Sequence, residues 1–202
     1  MDSHDRRPLA AAVLLAALSA AAVPAIAQPP ALRVDQQQPA IDAAKGTLAV
    51  GGGPGSEQKL AQTFTVGLDG RLAQVRFAIG CSDGVLDVEI QGTTATGEPD
   101  GVALVRRSLR AERVPGIVPA TFESLSLPRR LAVAPGEVLA IVLSNDTGSC
   151  GVAVSPDGDT YLDGKAFFDA RPNPPGWVPL AEGSPGEEDD LPFQTVVFGR
   201  AP

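Results

Sequence analysis

Three carboxylates fall within seven positions of one Gly-containing stretch, Asp157, Asp159 and Asp163 in the run Ser155 to Gly164. Oxygen ligands at that density suit a hard cation such as Ca²⁺, which gathers roughly six to eight of them. The EF-hand order is not met. Tyr161 stands where a third ligand belongs, Leu162 replaces the required glycine and Phe168 falls on the bidentate glutamate position. Two expectations follow: a solvated turn, or a structural Ca²⁺ on the loop, completed by Asp146 or Asp169 from adjacent loops. The denser run Glu187-Glu188-Asp189-Asp190 repels itself and is expected as an extended wet loop, with a cation or partner contact as its alternative.

The sole tryptophan closes the stretch Arg171-Pro172-Asn173-Pro174-Pro175-Gly176-Trp177. An indole on a rigid Pro-rich loop stacks well on a sugar ring, with Arg171, Asn173 and Tyr161 at hand as polar or aromatic neighbours. Its competing role is a lid packed over the end of the core. Asp87 and Glu89 alternate on one strand face. With Glu123 or Glu137 opposite they would make a glycosidase pair, which needs carboxyls about 5 to 10 Å apart in a cleft; otherwise they line an outward polar face. Asn145-Asp146-Thr147 matches a glycosylation sequon.

His4 is the only histidine, and it lies in a segment with the layout of a signal peptide. Arg6 and Arg7 precede an apolar run from Leu9 to Val23, followed by Pro24 and Ala25-Ile26-Ala27, a small-x-small cleavage site. The run is shorter than the ~20 residues a bilayer span needs, which disfavours a retained anchor. Asp5 and Pro8 around the arginine pair fit a twin-arginine signal poorly. Cleavage after residue 27 would leave no imidazole, excluding Ser-His-Asp and Cys-His catalysis, His-ligated metals and a His-based pH switch. In an exported chain the pair Cys81 and Cys150 is expected as one disulfide, the alternative being two buried thiols. A net charge of -8 on 202 residues, with no basic tract, argues against nucleic acid and anionic membranes as partners.

The elements that must position these groups read as strands. The 22 Gly and 19 Pro residues interrupt the chain too often for long helices. Residues 28–58 read as a flexible Pro/Gly/Gln-rich lead-in in which only Thr47 to Val50 resembles a strand. Gly51-Gly52-Gly53-Pro54-Gly55 lacks the Lys-Ser or Lys-Thr of a phosphate loop. From Leu60 onward alternation is plain: Ala73, Val75, Phe77 and Ile79 oppose Gln74 and Arg76, and Leu86, Val88 and Ile90 oppose Asp87 and Glu89. Further strands are expected at Val102 to Leu109, Ala120 to Leu127, Glu137 to Ser144, Gly151 to Ser155, Lys165 to Asp169 and Phe193 to Phe198. EVLAIVLS, apolar on both faces, suits a central strand covered by a facing sheet or loop. The stretch RRSLRAER admits a short helix or a charged edge strand, and its context favours the strand. About eight strands over residues 59–200 predict an all-β antiparallel sandwich of jelly-roll type.

The ordered phrases AQTFTVG, LAQVRFAI, VLDVEI, GEPDGVAL, VAPGEVLAIVLSN and FQTVVFG, spanning Leu60 to Gly199, resemble secreted bacterial β-sandwich domains of the choice-of-anchor type. The resemblance implies an extracellular, surface-associated module and brings no catalytic residues. The functional expectation is therefore an exported non-catalytic module contacting polysaccharide, envelope or a protein partner, without a cofactor beyond a structural Ca²⁺. A carboxylate-driven carbohydrate hydrolase or lyase and a purely structural envelope or matrix protein are its rivals.

Overall fold

A computed structural model describes residues 29–52, 57–114, 116–117, 120–171, 176–183 and 189–199, with the side chains of Arg171 and Gly183 left aside. The expected signal peptide and Asn173 lie outside the described residues. Twelve strands lie among the described residues: β1 (Ala31–Gln38), β2 (Thr47–Gly51), β3 (Glu57–Thr65), β4 (Gly70–Cys81), β5 (Val85–Thr93), β6 (Pro99–Arg110), β7 (Thr121–Val133), β8 (Val138–Ser144), β9 (Ser149–Ala153), β10 (Ala166–Arg171), β11 (Val178–Pro179) and β12 (Phe193–Gly199). A 3-10 turn at Ala111–Arg113 and a single helical turn, α1 (Leu180–Gly183), complete the described elements. All pairings are antiparallel, in the order β1-β12-β4-β9-β2-β3-β8-β5-β6, with β7 on the other edge of β4 and β10–β11 beside β3.

This single sheet curls back on itself through the β9–β2 corner, so that β12, β4 and β7 face β3, β8, β5 and β6. Phe64 of β3 meets Phe193 of β12 with ring centroids 6.4 Å apart, and Phe77 of β4 lies 6.4 Å from the same ring. Val75, Ile79, Leu86, Val88, Ile90, Leu139, Ile141 and Leu143 fill the rest of the core. The fold is thus the all-β sandwich that alternation predicts, with more strands than the eight read from sequence. A bulge between Leu72 and Gln74 resets the pleat, so Leu72 and Val75 both point inward. Pro135 and Gly136 make the β7–β8 connection: Gly136 takes φ of 86° and Glu137 N–H closes on Ala134 O at 3.2 Å, the type II geometry that needs glycine third.

The segment expected to be a loose lead-in is largely sheet. β1 pairs with β12 and β2 with β9. Its pattern is inverted: Leu32 and Val34 are exposed, whereas Gln38 is buried and Gln36 half-buried. Gln36 accepts the Tyr161 hydroxyl at 2.9 Å and Gln38 donates to Thr160 at 2.8 Å. Burial of amides that are fully hydrogen-bonded costs little. RRSLRAER resolves into both of its readings, edge strand to Arg110 and 3-10 turn at Ala111–Arg113. Cys81 and Cys150 are register partners on β4 and β9 and form the expected disulfide.

Candidate functional site

The registers place one row of side chains across five strands: Phe167 of β10 opposite Ala61 of β3, Ala61 opposite Val142 of β8, Val142 opposite Glu89 of β5, and Glu89 opposite Arg106 of β6. A parallel row runs beside it, with Asp169 opposite Lys59 and Ser144 opposite Asp87, itself opposite Ser108. Because alternate residues share a face, both rows lie on the outer side of the sandwich, behind the core side chains Leu60, Leu143 and Val88.

Ala61, Ala140, Val142 and Phe167 form a small apolar cluster on that outer face, and Trp177 packs on it, partly buried. Leu139 to Ser144 is therefore covered on both faces, by the core and by the segment at Trp177, while Glu137 and Val138 stay exposed. Between Trp177 and β6 opens a cavity of about 340 Å³ lined by Lys59, Glu89, Gln91, Gly101, Arg106, Val142, Ser144, Asp146, Asp169 and Trp177. One aromatic side chain thus shares a hollow with hydrogen-bonding groups drawn from five strands and one loop.

The lining is held in place by its own bonds. Arg106 Nη2 donates to Asp87 Oδ2 at 2.6 Å, and its Nη1 stands 3.5 Å from Glu89 Oε1. Gln91 donates to Glu89 at 2.6 Å and accepts Gly101 N–H at 2.9 Å. Burial alone would push the Asp87 carboxyl upward. The hydrogen bonds from Arg106 and Ser108 outweigh it and hold the group below its ordinary value. Arg106 is raised in turn by Asp87. The alternative of a glycosidase pair is not assembled: Asp87 and Glu89 share one guanidinium on the outer face, Glu137 accepts Ala134 N–H in a turn, and Glu123 sits on β7 opposite Phe77.

Other expected site residues go elsewhere. Tyr161 belongs to the core, 7% exposed and edge-on to Phe193 at 5.1 Å, and burial drives its hydroxyl pKa upward. It is not available to a ligand. Arg171 pairs by its backbone with Glu57. Asp157 is ion-paired with Lys45, and among the described residues no group of three His, Cys, Asp or Glu side chains is placed to hold a metal. Asp157, Asp159 and Asp163 are thus not gathered. Asp190, expected in a wet loop, is fully buried. It accepts Gln62, Thr160 N–H at 2.9 Å and Tyr161 N–H at 2.8 Å, while burial raises its pKa. The sequon asparagine, Asn145, is 1% exposed; it accepts Val85 N–H and donates to Asp83 O.

Lys59, Gln91, Arg106, Ser144 and Asp169 are the lining residues that sequence reasoning did not assemble, although their parity along each strand was visible. Pairing registers alone bring them together.

No family model matches the chain, and no curated protein sequence matches it. Among solved structures it is similar to one of the cysteine protease and lectin-like domains of a surface-layer-associated protein of Clostridium difficile, at 12% identity and a TM-score of 0.48, over 71% of this chain. The chain spans 33% of the length of that protein.

Proposed function

We propose that this protein is an exported, non-catalytic binding module that takes a saccharide in the groove at Trp177. The hollow of about 340 Å³, in which one indole converges with Lys59, Gln91, Ser144, Asp169 and Arg106, carries the proposal. Sugars present an apolar ring face and a rim of hydroxyls, and this lining offers a complement to each. An extracellular setting is supported by the positive-then-apolar segment ahead of Gln28 and by the disulfide. Among the described residues no helix is long and apolar enough to cross a membrane. The likeness to choice-of-anchor modules belongs to the same proposal.

The test is a glycan array probed with wild type and Trp177→Ala, each checked by thermal melting. Binding that the substitution weakens roughly tenfold or more, at ordinary folding, supports the proposal. Silence of wild type across the array, or binding indifferent to Trp177, overturns it.

A further inference from the structure

The curled sheet does not close. β6 and β7 lie side by side without ladder pairing, and side chains span the seam: Arg107 donates to Ser126 O of β7 and Arg129 donates to Leu104 O of β6. Pro128, which has no N–H to offer a ladder, sits in the excursion of β7 between its two stretches of pairing with β4. The gap is a cavity of about 460 Å³ lined by Arg106, Arg107, Ser108, Leu109, Arg110, Arg113 and Pro128. Four arginines are among its lining residues; Arg106 is already bonded to Asp87 and Glu89 and Arg107 to Ser126 O, which leaves Arg110 and Arg113 as its unneutralised cations, in a chain whose net charge is -8. Arg110 and Arg113 make no ion pair among the described residues. Two exposed guanidinium groups beside one cleft offer an anion its counter-charge, and their planar forks match carboxylate and sulfate oxygens two at a time.

Arg106 lines this cleft and the Trp177 groove alike. A polymer lying along the groove would therefore meet the arginines at its next units. We propose that the ligand is an acidic glycan, its sugar ring on Trp177 and a neighbouring carboxylate or sulfate between Arg110 and Arg113. This rests on the saccharide proposal above and narrows it.

The experiment titrates the full chain with dextran, dextran sulfate, polygalacturonate and polyglutamate at two salt concentrations, comparing wild type, Trp177→Ala and the double variant Arg110→Gln/Arg113→Gln. Both arginines are exposed, so the double variant should melt as wild type does. Expected is tighter binding of at least one acidic glycan than of dextran. The double variant should weaken it roughly tenfold and flatten its salt dependence, leaving dextran binding unchanged. Equal affinity of the double variant for the acidic glycans overturns the inference while a Trp177-dependent neutral glycan would keep the saccharide groove. Polyglutamate bound as well as the glycans overturns it too, marking a generic anion surface. Loss of all glycan binding overturns both.

Discussion

The two outer faces of this sandwich are built alike and end differently. Midway along the β12–β4–β7 side the outward residues bond one another across the strands, Arg76 donating to Gln194 at 3.1 Å, Gln194 to Gln37 at 3.1 Å and Gln74 to Ser126 at 3.4 Å, and a hollow of about 400 Å³ opens at the end of this side, beside Arg71, Arg130 and Phe198. On the β10–β3–β8–β5–β6 side a similar mixture of amides, hydroxyls and charges sits beneath an aromatic wall, and a hollow results. Polar alternation therefore marks an outer face without telling whether it is a site. What makes the difference is the segment at Trp177, anchored by the β10–β11 pairing of Phe167 with Pro179 and Phe168 with Val178.

The comparison has its largest test at Phe167. This ring is 4% exposed although it lies outside the sandwich, so Phe167→Ala should lower unfolding free energy by about 3 to 5 kcal/mol, read from the urea midpoint. A loss under about 1 kcal/mol would mean the groove side is no more built than the β12–β4–β7 side. Next is Arg106→Gln, which leaves the Asp87 carboxylate in a largely buried site without its cation and should cost about 1 to 3 kcal/mol at neutral pH. The pH profile gives the sign. Because the folded-state pKa of Asp87 is lowered, its contribution is present above the ordinary value of 3.8 and is lost as pH falls through the lowered one. That acid loss should shrink in the variant, and an unchanged acid limb would remove Asp87 from the account. Asp190 works in the opposite sense. Its raised pKa makes stability decline as pH climbs from 3.8 through the folded value, and Asp190→Asn should abolish that decline in a denaturation series across mildly acidic pH. The smallest effect belongs to the hydrogen-bonded middle of the β12–β4–β7 face: Gln74→Ala should shift stability by less than about 0.5 kcal/mol and leave glycan binding intact. A binding loss there comparable to that of Trp177→Ala would erase the distinction between the faces.

Strands with a plain period of two were legible, as β4 and β5 show, because alternating burial writes itself into the residue order, and β8 was legible as a run apolar on both faces. β1 was not. Its inward positions hold Gln36 and Gln38, whose partners Tyr161 and Thr160 lie more than 120 positions away, while its leucine and valine face out. Distance along the chain also hid the site: Lys59, Glu89, Arg106, Ser144 and Asp169 come from five strands, and only the registers align them. Trp177 was legible as a choice between a lid on the core end and a platform; it packs instead on the outer-face cluster of Val142 and Phe167, at the rim of the groove. Tyr161 and Asp190 were misplaced because loop composition reports on water only when no strand residue, Gln36 for Tyr161 and Gln62 for Asp190, reaches over to bond it.

The order β1-β12-β4 bears on when the molecule can finish folding. β12 lies between β1 and β4, so β1 has no ladder to join until the strand beginning at Phe193 has arrived. Cys81 and Cys150 both precede that strand, so the cross-link can form in a chain still lacking it. Closing a contact between residue 31 and residue 199 is entropically slow, as for any topology dominated by distant pairings. Until it closes, the apolar positions of β12 and the edge of β4 that receives it stay open, and an exported chain would cross its most aggregation-prone interval with its last strand unplaced.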